Sequence, residues 1–176
     1  MKRVSAALLV LVAALFALPG AAVADSAHHT YFLGMEEPNV AEAPNGDRAA
    51  VIGEGEFSVN PKSVEAEGEF THTTSTGSVV ASGTWTATEL LDYQSYGCGV
   101  VFGTPLPPEL CGGKVKMRVT LAPEGTSLTL DGILTVFCVI GPNPPNSASE
   151  GITLVVPGVL NFNQVVEGDN FYFQLS

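Results

Sequence analysis

An all-β, antiparallel domain is the fold that this chain of 176 residues predicts, and three observations carry it. Between Val51 and Tyr93 apolar and polar residues alternate with period two, the spacing at which strand side chains share a face. Clusters of Gly, Pro and Asn punctuate that alternation at short intervals, as turns between strands do. The composition is rich in Val, Thr, Gly and Pro and poor in Lys, Arg and Gln. A single meander of seven or eight strands follows. A small β-barrel is favoured over a β-sandwich, because closure protects strand edges and glycine-relieved aromatic residues suit a strongly coiled sheet.

The beginning of the chain reads as a secretory leader. Met1-Lys2-Arg3 is basic, Val4 to Leu18 is apolar apart from Ser5, and Ala22-Val23-Ala24 places small residues before Asp25. The apolar run is shorter than the ~20 residues that span a bilayer, and Pro19-Gly20 ends it. Residues 1–24 are therefore expected to be a cleaved signal peptide, leaving a secreted or envelope protein with no integral membrane segment. Losing Lys2 and Arg3 takes the formal charge from −11 to −13. Such a charge repels phosphate backbones and argues against a nucleic-acid partner.

Residues 25–48 form an N-terminal segment in which Thr30 to Met35 reads as a strand and Glu36 to Asp47 as loop. His28 and His29 do not suit a terminal copper site, since cleavage after Ala24 puts His28 at the fourth position. No cofactor is implied.

Residues 49–176 form the β domain. Its first three strands share a motif of glycine followed two residues later by an aromatic ring: Gly55-Glu56-Phe57, Gly68-Glu69-Phe70 and Gly83-Thr84-Trp85. Parity turns Val51, Phe57, Phe70, His72, Trp85, Glu89 and Tyr93 inward. A four-residue turn at Asn60-Pro61-Lys62-Ser63 sets Val59 against Val64, and a two-residue turn at Thr76-Gly77 sets Ser75 against Ser78. In that register Phe70 lies between Gly53 and Gly83 and Trp85 lies beside Gly68, which explains residues that otherwise weaken strands.

The outer face of the same register pairs Glu54 with Glu69 and Glu56 with Glu67. Like charges directly opposite destabilise a sheet by up to about 1 kcal/mol per pair. These four carboxylates are candidate Ca²⁺ ligands, and solvated surface glutamates are the simpler reading. His72 and Glu89 are candidate acid–base groups. The register places them four rows, or about 27 Å, apart at ~3.4 Å per residue, too far for one dyad. Trp85, Glu89 and Tyr93 are the candidate ligand-binding residues, with Glu89 at a pocket mouth unless a bulge turns it outward.

Beyond Tyr93, a loop rich in Gly and Pro holds Cys98 and Cys111, which are expected to form a disulfide in an oxidising compartment. Cys138, on a later strand, could compete for Cys111. Lys114 to Leu121 and Ser127 to Ile140 alternate as a hairpin around Ala122-Pro123-Glu124-Gly125, which sets Lys116 against Asp131. The last strands run from Ile152 to Phe162 and from Gln164 to Leu175, with Phe171, Phe173 and Leu175 on one face.

The series Gly-Glu-Gly-Glu-Phe, Ala-Ser-Gly-Thr-Trp-Thr-Ala-Thr-Glu-Leu-Leu, Cys-Gly-Gly-Lys, Leu-Thr-Val-Phe-Cys and Glu-Gly-Ile-Thr-Leu with Asn-Phe-Asn resembles a family of small secreted prokaryotic proteins of uncharacterised function. The resemblance covers most of the mature chain and transfers no activity or site residues. From the residues alone, the first expectation is a non-catalytic binding or cell-surface module for a small apolar ligand or an extracellular macromolecule. A small-barrel cyclase or isomerase using Glu89 or His72, and a structural envelope protein, are the alternatives.

Overall fold

The structure, a computed structural model, describes residues 28–176. The expected signal peptide lies outside the described residues. Within them the chain forms strands β1 (Thr30–Met35), β2 (Asn39–Glu42), β3 (Arg48–Val59), β4 (Lys62–Thr73), β5 (Val79–Cys98), β6 (Val100–Val101), β7 (Thr104–Pro105), β8 (Leu110–Pro123), β9 (Leu130–Cys138), β10 (Gly151–Val156), β11 (Leu160–Phe162), β12 (Gln164–Glu167) and β13 (Asn170–Gln174). Among the described residues there is no helix.

Every pairing in the fold is antiparallel, as the alternation predicts. From β3 to β11 the sheet is a meander, interrupted by the small β6–β7 hairpin. The pairing then closes on itself: β8 bonds β13, β13 bonds β1 and β1 bonds β3, so β1, β3, β4, β5, β8 and β13 make a ring of six strands. The strand count exceeds the expected seven or eight because short segments also pair. Asn39–Glu42, expected as loop, adds to the edge of β3 and itself takes up β12.

The registers separate what parity fixes from what turns fix. The β4–β5 ladder is the expected one, with Gly68 opposite Trp85 and His72 opposite Ala81. The β3–β4 ladder is displaced by two residues, because pairing continues to Val59 opposite Lys62 and leaves Asn60-Pro61 as the turn. Two further residues thereby satisfy their backbone groups. A displacement of two keeps every side chain on its expected face. In the β8–β9 hairpin the loop is longer than expected, so Leu121 faces Leu130 and Lys116 faces Thr135, and the expected Lys116–Asp131 pair does not form.

The displaced register tightens the glycine–aromatic pattern at Trp85 and loosens it elsewhere: Phe70 lies between Val51 and Gly83 instead of beside Gly53, and Phe57 faces Val64. Gly53, Gly68 and Trp85 now form one row. A methyl group at Gly53 would come within 2.4 Å of the Trp85 ring, and one at Gly68 within 2.7 Å of its indole nitrogen. The two bare backbones leave room for the ring, and its Nε1–H donates to the Ile52 carbonyl at 3.0 Å. Trp85 is thereby only 1% exposed with its polar atom satisfied.

Candidate functional site

The two ends of the ring differ in how they are filled. At the end where β1 and β13 close the circle, Tyr31, Phe57, Tyr93 and Tyr172 pack together, with centroids 5.0 Å apart for Phe57–Tyr93 and 5.6 Å for the edge-on pair Phe57–Tyr172. The Tyr172 hydroxyl donates to the Val136 carbonyl at 2.9 Å, so even the polar tip is satisfied inside. This end is a filled core.

At the opposite end the strands leave a hollow of about 280 Å³ with an entirely nonpolar wall. Ala49, Phe70, Ala81, Leu121, Leu130, Leu154 and Phe162 form its sides. Small residues occur at Ala49 and Ala81, where the other end carries rings. Around the mouth Val80, Leu128 and Val159 are 55%, 55% and 56% exposed, a cost in water that a folded chain usually avoids where it can. At roughly 300 Å³ upward, ligand pockets of this character begin.

One titratable side chain lines the hollow among the described residues, and it is His72. Its Nε2 lies 3.0 Å from Asp47 Oδ2, and its ring meets Phe162 edge-on at 5.3 Å. Asp47 is itself held in place: its other oxygen accepts the Ser75 backbone N–H at 3.2 Å. The hydrogen bond from His72 holds the Asp47 carboxyl below the usual carboxylate range. His72 thus lines the hollow with its Nε2 committed to Asp47.

The residues singled out from sequence do not converge. Trp85 is core. Glu89 sits outside, because irregularities between Ala87 and Glu89 and between Leu90 and Asp92 bring Leu90 inward in its place. The Glu89 carboxylate pairs with Arg118 Nε at 3.1 Å on the surface, so it marks no pocket mouth. Tyr93 is inside, in the aromatic cluster, and burial pushes its phenol up. His72 and Glu89 remain on widely separated rows, as expected.

The carboxylate ladder exists with one member exchanged. Glu54 faces Glu67 and Glu56 faces Glu65, while Glu69 faces Ile52. With Phe32 these four line an open outer groove of about 610 Å³. Among the described residues no three His, Cys, Asp or Glu side chains are grouped so as to hold a metal ion. Cys98 and Cys111 are opposite each other on β5 and β8 and form a disulfide, and Cys138 is a buried free thiol pushed up to about 12, chiefly by burial.

Two carboxylates that sequence reasoning passed over are structurally distinctive. Asp47 lies in a turn segment that carries no periodic signal. Glu150, in the Pro-rich loop before β10, accepts the backbone N–H groups of Val139 at 2.7 Å and Asn170 at 3.0 Å. Burial pushes Glu150 up to about 7. Beside it the Asn170 amide donates to Asn39 Oδ1 and to the carbonyls of Phe137 and Gly151, tying four strands together. Both signals are long-range, since each partner lies far away in the chain.

Comparison with protein-family models, with curated proteins and with solved structures finds no match. The resemblance to secreted prokaryotic proteins rests on its motifs alone, and function has to be argued from the hollow.

Proposed function

We propose that this protein is a secreted, non-catalytic binding module that takes a small apolar molecule into the hollow at the open end of the strand ring. The observation that carries this reading is the combination of a nonpolar cavity of about 280 Å³ with large hydrophobic residues left exposed around its mouth. Exposed apolar surface that rims a cavity is the usual signature of a ligand site. The Cys98–Cys111 disulfide is compatible with an extracytoplasmic location.

An isomerase or cyclase has less support. Glu89 is engaged on the surface with Arg118, and His72 adjoins no second acid–base group in the wall of the hollow among the described residues.

The test is titration with the uncharged fluorophore N-phenyl-1-naphthylamine. Saturable one-to-one binding is expected, weakened about tenfold or more by Leu128→Asp or Val159→Asp, which set a charge beside an apolar ligand. Phe102→Asp serves as control, since Phe102 is 85% exposed on the β6–β7 hairpin and lines no part of the hollow. Absence of saturable binding, or equal loss in all three variants, overturns the proposal.

A further inference from the structure

We infer that the hollow of one copy receives the Phe102 ring of a second copy, so that the chain assembles head to tail. The inference rests on the reading of the hollow as a site for apolar groups, and it names a protein group that fits there.

The first support is the knob. Phe102 stands at the tip of the β6–β7 hairpin, 85% exposed, with φ at 46°. A bulky side chain rarely adopts that left-handed region, and backbone strain of this kind gathers at functional sites. From Tyr93 to Pro108 no residue carries a charge, in a chain with 18 acidic and 7 basic residues. The hairpin is also braced. The Cys98–Cys111 disulfide closes its base, the Gly141 N–H donates to the Val100 carbonyl at 2.7 Å, and the Leu106 N–H donates to the Gly99 carbonyl at 2.9 Å. A braced tip has little freedom to lose on docking.

The second support is the fit. A cavity of about 150 Å³ holds benzene, so the hollow of about 280 Å³ admits a phenyl ring with room to spare. Its wall is nonpolar, and the ring asks for no hydrogen bond. Only the ring has to enter, which leaves the backbone of the tip at the rim within reach of water. Neither the tip nor the wall contains Asp, Glu, Lys or Arg, so docking brings no ionised carboxylate of this acidic chain into the contact.

The third support is placement. β5 begins at the hollow with Val80 and Ala81 and ends at Cys98 under the hairpin, and β8 returns from Cys111 to Leu121 and Pro123 in the wall. At ~3.4 Å per residue, Cys111 and Leu121 are about 34 Å apart along the strand, whereas Cys98 to Phe102 reaches about 14 Å. A copy therefore cannot fill its own hollow. Two unlike surfaces at opposite ends join copies into open chains or rings. One ring hides about 150–250 Å², and a contact of a single hairpin tip falls below the ~1,200 Å² of stable interfaces. Assembly is thus weak and reversible, and an apolar ligand in the hollow excludes it.

The experiment is sedimentation velocity of the full chain up to about 1 mM, where weak contacts populate. The parent is expected to sediment faster as concentration rises, and more so when salt screens the repulsion between acidic copies. Phe102→Asp and Leu128→Asp should each weaken association about tenfold or more. An equal mixture of the two should form a one-to-one dimer and nothing larger, because the first keeps its hollow and the second its hairpin. Saturating N-phenyl-1-naphthylamine should dissociate the parent. A parent that stays monomeric, association that survives Phe102→Asp, or a mixture that does not pair overturns the inference. So does a monomeric parent that binds phosphatidylcholine vesicles through Phe102, which makes the hairpin's partner a lipid surface. If the dye still binds one-to-one in any of these cases, the hollow stands as a binding site; if it does not, that reading fails as well.

Discussion

The two ends of the strand ring share β3 and β5 and the same inward parity, and they reach opposite outcomes. Where β1 and β13 complete the circle, the inward positions carry Tyr31, Phe57, Tyr93 and Tyr172, and the rings fill the space. At the other end β3 and β5 present Ala49 and Ala81, β8 and β9 add Leu121 and Leu130, and a hollow remains. Closure of a sheet fixes the diameter of its interior, and side-chain volume then decides whether that interior is core or cavity. A chain that packs four rings at one end has the means to pack the other. Leaving large hydrophobic residues exposed around an empty mouth is thus a difference that packing alone does not require.

The largest expected effect breaks the filled end. Phe57 is 1% exposed and touches three other rings, so Phe57→Ala should cost about 3–5 kcal/mol in chemical denaturation. Measured stability within 1 kcal/mol of the parent would mean that this end is not a packed core.

The disulfide anchors the same end, since Cys98 and Cys111 bridge β5 to β8 across a sequence separation of 13. The double variant Cys98→Ser, Cys111→Ser should lose about 3 kcal/mol through the freed denatured loop. Dye binding at the far hollow should persist in whatever fraction remains folded. Loss of binding in the folded fraction would show that the two ends are coupled.

Acid separates the ends by sign. Glu150, beside β13 at the filled end, has its folded-state pKa raised to about 7, above the ordinary 4.5, chiefly by burial. The folded state then holds the proton more firmly than the unfolded one, so the stability Glu150 confers is fully present below 4.5 and is lost as pH rises to about 7. Asp47 at the open end is depressed by His72, so its contribution is present above 3.8 and lost as pH falls below that value. Glu150→Gln should flatten the first slope and leave the second. A stability profile between pH 4.5 and 7 that is identical in parent and variant would remove Glu150 from the account.

Much of this fold was legible in the sequence, and the reason is physical. Period-two alternation reports which face a residue occupies, and that survives any register error of two, as the β3–β4 ladder demonstrates. It also survives the four-residue difference at β8–β9. Glu89 was left open between a pocket mouth and a bulge that turns it outward, and alternation alone does not decide between them; the irregularity after Ala87 changes parity and puts it outside. The disulfide was readable because the two cysteines flank one Gly- and Pro-rich stretch, although both lie on paired strands, β5 and β8, and not in the loop expected there. The hollow was not, since it depends on how the sheet curls: Phe70, Leu121 and Phe162 are far apart in the chain, on β4, β8 and β11, and meet only around the space those strands enclose. Asp47 and Glu150 were hidden for the same reason, each defined by a partner on another strand.

The smallest effect on stability is the sharpest test of the comparison, because it adds volume at each end in turn. Val115 is fully buried at the filled end, and Val115→Phe should cost about 1–3 kcal/mol by overpacking. Ala81 lines the hollow. Ala81→Leu points new carbon atoms into empty space, so its stability should stay within about 0.5 kcal/mol of the parent, while N-phenyl-1-naphthylamine loses its place and its affinity falls about tenfold. Filling a true cavity removes binding without straining the fold. Were Ala81→Leu as costly as Val115→Phe, both ends would be packed alike and the contrast between them would collapse.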